Sequence, residues 1–66
     1  MYGNMIKELG HKNITYKAVA ELIGTTEKTV YNKLNGKTEF TISEAMMIND
    51  NLLPEFTLSY ICKPTT

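Results

Sequence analysis

Few residues in this chain could make or break bonds. His11 is the only histidine and Cys62 the only cysteine. His11 stands in a Gly-His-Lys-Asn stretch with no cysteine or acidic cluster at metal-ligand spacing, so it reads as a solvated turn residue and no metal site is expected. Cys62 reads as a small hydrophobe on a late helix, and a single cysteine excludes an intrachain disulfide. No nucleophile–base pair, glycine-rich phosphate loop or paired carboxylate is visible, so neither catalysis nor a cofactor is expected, and no small-molecule ligand is evident. What remains is hydrogen bonding and charge. Glu27, Lys28, Thr29 and Asn32 set a carboxylate, an ammonium, a hydroxyl and an amide close together, and Lys28 and Asn32 fall four apart on one helical face. Such a face is either plainly solvated or shaped for a polar partner.

The charge distribution favours a partner. The formal net charge is +0. Between His11 and Thr38, however, lie Lys12, Lys17, Lys28, Lys33 and Lys37 against Glu21 and Glu27, a net of +3. Outside that block Lys7 and Lys63 face Glu8, Glu39, Glu44, Asp50 and Glu55, a net of −3. The chain is electrically polarised, with its positive part in one central block. All seven cations are lysines, so any phosphate contact must come from an ammonium, a hydroxyl or a backbone N–H. No apolar run approaches the roughly 20 residues of a membrane span. The first ten residues lack a basic head followed by a long apolar stretch, so a secretory signal is not expected and the chain reads as cytoplasmic.

These groups must be held by helices. The 66 residues suffice for one domain, spanning 1–66, and the apolar pattern is helical in period, broken by turn residues at short intervals. A first helix is expected from about Gly3 to Gly10, with Met5, Ile6 and Leu9 on one face and Gly10 and Asn13 as the breakers that follow. Thr15 is a good N-cap for a second, which buries Val19, Ala20, Leu22 and Ile23, turns Lys17 and Glu21 outward, and ends at Gly24. Thr26 caps a third that runs to about Leu34, with Val30 and Leu34 inward, before Asn35-Gly36 stops it. Thr41-Ile42-Ser43-Glu44 fits a capping box and opens a fourth helix to about Asp50, burying Ala45, Ile48 and one or both of Met46 and Met47. A short fifth, near Pro54 to Cys62, presents Phe56, Leu58, Tyr60 and Ile61 either to the chain's own core or to a second copy. Lys63 to Thr66 reads as a frayed tail. The fold class is therefore all-α, a compact bundle of four to five short helices.

Two short helices joined through one glycine form an αα corner, and such a corner becomes a helix-turn-helix when its second helix lies in the DNA major groove. The core of that unit is 15–34. Ala20 must be small because the second helix packs closely over the third, Gly24 must turn the chain sharply, and Val30 locks the third helix inward. The run ITYKAVAELIGTTEKTVYNKLNGK resembles the phage repressor and Cro-like helix-turn-helix family, and FTISEAMMI resembles the start of the fourth helix in small prophage regulators of that family. The resemblance covers about Met5 to Ile61 and implies a lambda-repressor-like domain. Three positions depart from the family's habit: Tyr16 replaces a glutamine, Leu34 a glutamate, and Lys33 an apolar residue whose contact Leu34 can supply.

Carried over position by position, the resemblance implies base contacts from Glu27, Lys28, Thr29 and Asn32. Lysine can donate to guanine O6 and N7, asparagine can pair with adenine N6 and N7, glutamate can accept from cytosine N4, and threonine can offer a methyl to thymine. Phosphate contacts are implied for Tyr16, Lys17, Thr26, Lys33, Asn35, Lys37 and Thr38. The implied partner is double-stranded DNA, bound by a homodimer at two half-sites about one helical turn apart, in a repressor that occupies an operator. The competing reading is a protein-binding module on the same fold, such as an antirepressor, adaptor or antitoxin-like partner. Neutral net charge and Glu27 at the groove face support it; the concentration of lysines between Lys12 and Lys37 speaks for DNA.

Overall fold

A computed structural model describes residues 1–65. Among the described residues there are five helices and no strand: α1 Gly3–His11, α2 Tyr16–Ile23, α3 Glu27–Leu34, α4 Ile42–Asn51 and α5 Leu58–Ile61. Threonine starts four of them. The hydroxyls of Thr15, Thr26, Thr41 and Thr57 accept from the backbone N–H of Ala18, Thr29, Glu44 and Tyr60, each satisfying one donor that a helix start leaves free. At α4 the return bond is also made: Thr41 N–H donates to Glu44 Oε1 at 2.9 Å, completing the expected capping box.

The core takes residues from every helix. Met5 and Leu9 of α1, Val19 and Ala20 of α2, Val30 and Leu34 of α3, Ile48 of α4 and Ile61 of α5 are buried together with Leu53. Leu34 is fully buried and supplies the apolar contact that Lys33 cannot. Ile6, Leu22 and Ile23 lie partly buried at the edge of this cluster.

α1 ends one residue past Gly10, and of the two expected breakers it is Asn13 that stops it, in the left-handed region at φ 57°, with Ile14 N–H reaching back to Leu9 C=O at 3.0 Å. Three expectations are corrected. α5 is only four residues long, because Leu53 to Phe56 form a turn and the cap is Thr57, so Pro54 does not begin a helix. Met46 and Met47 are both exposed rather than core filler. The tail is tied down: Thr65 N–H donates to Met1 C=O at 2.8 Å, and Thr65 Oγ1 accepts from Gly3 N–H at 2.9 Å. Thr66, the last residue of the expected tail, lies outside the described residues.

The open choice for the C-terminal apolar stretch is resolved toward self-packing. Ile61 is fully buried, and Phe56, Leu58 and Tyr60 pack against the core, with Phe56 and Tyr60 rings stacked at 5.5 Å. Tyr60 also donates from its hydroxyl to Glu8 Oε2 at 2.8 Å, which gives the one buried carboxylate among the described residues a partner and ties α5 to α1.

Candidate nucleic-acid interface

The corner between α2 and α3 is built on Gly24, whose φ of 77° is the left-handed conformation that terminates α2. Both Gly24 N–H and Thr25 N–H donate to Ala20 C=O, each at 2.9 Å, so the turn closes within two residues. Thr26 then starts α3; its hydroxyl accepts from Thr29 N–H at 3.2 Å and donates to Thr29 Oγ1 at 3.0 Å. With Val30 and Leu34 fully buried, the opposite side of α3 is turned to solvent.

That side carries Lys28, Thr29 and Asn32 of the four residues expected to meet bases; Glu27, three before Val30, stands at the leading end of α3. Glu27 and Lys28 are exposed, and Thr29 and Asn32 are half-buried. They converge on one helix face and its leading end. Asn35 is exposed at the other end, its Nδ2 donating to Tyr31 C=O at 2.8 Å. Beyond it Gly36 takes a φ of 88°, and Lys37 N–H returns to Asn32 C=O at 2.9 Å, leaving the Lys37 and Thr38 side chains exposed beside the end of α3. Tyr16 and Lys17 open α2; Lys17 is exposed, whereas Tyr16 is half-buried against the core. Lys17 and Glu21, expected as an outward pair, are both exposed and form no ion pair among the described residues.

Lys33 is placed differently from the other phosphate candidates. Its ammonium lies 3.1 Å from Glu44 Oε1 and 3.1 Å from Glu39 C=O, and 5.8 Å from the Phe40 ring centroid, with only 14% of the side chain exposed. This cation is committed to the chain itself. It explains how a lysine occupies a position that the resemblance reserves for an apolar side chain: its stem lies inside and its charge is neutralised. Glu44 answers it with a pKa lowered first by the Thr41 N–H and then by Lys33. Lys12 is committed likewise, to Glu55 at 2.6 Å and to Leu52 C=O at 3.0 Å, far along the chain from α3. The positive block read from the sequence is thereby reduced to three exposed lysines without an ion pair among the described residues, Lys17, Lys28 and Lys37.

One residue of this face escaped the sequence reading. Tyr31 is 56% exposed, one helical turn beyond Lys28 and next to Asn32. Its ring lies 6.4 Å from that of Tyr16 at a tilt of 48°. The only signal available was its spacing: residues 28, 31, 32 and 35 recur at i, i+3, i+4 and i+7 on the side opposite Val30 and Leu34.

His11 Nδ1 sits 3.3 Å from Glu8 Oε1 on the surface. Burial pushes the Cys62 thiol up, away from the thiolate form that nucleophilic chemistry uses. Among the described residues, no group of three or more histidine, cysteine or acidic side chains could hold a metal ion, and no helix is long and apolar enough to cross a membrane.

A glycine-turned αα corner whose second helix offers a polar face is the helix-turn-helix class of DNA-binding domain. The chain belongs to the Cro/C1-type helix-turn-helix DNA-binding domain family, whose model matches residues 4–52, from the first turn of α1 past the end of α4. Comparison with curated proteins and with solved structures found no match. Family membership makes this protein a DNA-binding regulator.

Proposed function

We propose that the protein is a sequence-specific transcriptional repressor, of phage or prophage type, that lays α3 in the major groove and acts by occupying an operator. The observation that carries the reading is the exposed polar face of α3, set against two fully buried residues of the same helix, Val30 and Leu34. Burial of those two leaves the helix one orientation, so Glu27, Lys28, Thr29 and Asn32 are held ready to meet base edges. Tyr16, Lys17, Thr26, Asn35, Lys37 and Thr38 surround that face and serve as phosphate contacts, with backbone N–H groups at the helix starts beside them. Lys33 is left out of the contact set, since its ammonium already has two partners.

Binding as a homodimer follows from energetics. One small module with three unpaired lysines in its central block and no arginine is a weak binder, and two such modules on one duplex reach useful affinity.

The test is selection from random duplex DNA at two salt concentrations, with Lys28→Ala and Asn32→Ala alongside the natural chain. An enriched inverted-repeat motif, weakened by each substitution by roughly 1–3 kcal/mol, is expected. Absence of any enrichment at low salt would overturn the proposal. It would turn attention to the second reading, a protein-binding module, which is favoured by one observation: Ile42, 73% exposed, shares the outer side of α4 with exposed Met46 and Met47.

A further inference from the structure

We propose that Tyr31 is a specificity-determining residue that reads thymine, by laying its ring against the C5-methyl group on the major-groove floor. The inference rests on the DNA-reading function proposed above. Three observations lead to it. Tyr31 stands at the edge of the α3 face, between Lys28 and Asn32 along the chain and on the Lys28 flank around the helix, and is the one large apolar side chain there. At 56% exposure it leaves more than half of a large aromatic side chain in water. The Tyr16 ring, itself packed on the core, flanks it at 6.4 Å and limits where it can swing.

The chemistry of the groove selects the target. Base edges in the major groove present hydrogen-bond donors and acceptors, and the thymine methyl is the apolar feature among them. A ring on this face regains its hydration cost only against that methyl. Polar edges are left to Lys28 and Asn32, so the thymine falls beside the bases that those two read. Thr29 can also offer a methyl to a thymine, on the other flank of the face, and the test separates the two.

The experiment takes the duplex selected by the natural chain and replaces its thymines one at a time with deoxyuracil, which removes the methyl and nothing else. Affinity is measured for the natural chain, Tyr31→Phe and Tyr31→Ala. One replacement per half-site should weaken the natural chain about fourfold, the value of one buried methyl-sized group. Tyr31→Phe should show the same ratio, and Tyr31→Ala should show none at that position while keeping any ratio due to Thr29. Because the ratio of thymine to uracil is taken within each variant, a general loss of affinity or stability in Tyr31→Ala cancels. A ratio that survives in Tyr31→Ala, or no methyl-sensitive thymine, overturns the inference while leaving the DNA reading intact. A loss of affinity in Tyr31→Phe as large as in Tyr31→Ala also overturns it and assigns the hydroxyl to phosphate. Failure of the natural chain to select any duplex removes the DNA reading itself, a different and earlier result.

Discussion

At Gly24 the requirement on the residue is purely conformational. A Cβ built there meets nothing within 4 Å, so the cost of a side chain is confined to the backbone at φ +77°. Gly24→Ala should therefore destabilise the domain by about 1–2 kcal/mol, measured by urea unfolding, with no change in which DNA is selected. Gly24→Asn should cost less, because asparagine tolerates the left-handed region; Asn13 already adopts it after α1, at φ 57°. Spacing alone exposed this glycine, as it did the alanine packed beneath α3. Partnership between distant residues left no such mark. Lys33 reads as one more cation in a positive block because Glu44, eleven residues on, shows no sign in the sequence that it will reach the ammonium. Tyr31 is hidden for a related reason: an aromatic residue in a helical pattern suits a core as well as a surface, and only the packing of Val30 and Leu34 decides which way it points.

Among the elements, α4 is joined at its start to α3 through side chains. Glu44 serves both ends of that join: its carboxylate accepts from Thr41 N–H, closing the capping box, and holds Lys33 on α3. Glu44→Ala should cost about 1–3 kcal/mol, since it removes a cap and strands a half-buried ammonium. Glu44→Gln can still cap but cannot neutralise Lys33, so it should fall between Glu44→Ala and the natural chain. The two also differ with pH. The folded pKa of Glu44 lies below the ordinary 4.5, so its contribution is complete above that value and is lost as pH falls through the lowered folded one. Urea unfolding of the natural chain should show this acid loss, and Glu44→Gln should lack that share of it. The capping box, and all three of the other threonine caps, rest on local hydrogen bonds over three residues, and the Thr15, Thr26 and Thr41 caps were legible for that reason. Helix ends that depend on tertiary fit were not. α5 waits for Thr57 because the preceding turn is folded onto the core.

For the whole molecule, zero net charge conceals an uneven field, and pairing reduces the unevenness without abolishing it. Lys12 and Lys33 are neutralised within the fold by Glu55 and Glu44. On the proposed reading, what DNA meets is Lys17, Lys28 and Lys37, exposed on α2, on α3 and just past the end of α3. Counterion release converts that number into a measurable slope. Three neutralised phosphates per domain give a dependence of log K on log salt of about −2.7 for each domain bound, and about −5 for a dimer on two half-sites. Counting all five central lysines would instead give about −4.5 per domain, so the slope itself reports whether the paired cations take part. Substitution sharpens the distinction. Lys17→Gln and Lys37→Gln should each make the slope shallower by about 0.9 per domain while leaving the selected motif unchanged, because phosphate contacts carry no sequence information. Lys28→Gln should change both slope and motif. Lys12→Gln should change neither, and its effect should appear as a small stability loss where the end of α1 meets the α4–α5 turn, because the pair it breaks is partly exposed. A Lys12→Gln variant that lost salt dependence as Lys17→Gln does would mean that the Lys12–Glu55 pair opens on DNA and that the positive face extends beyond the corner.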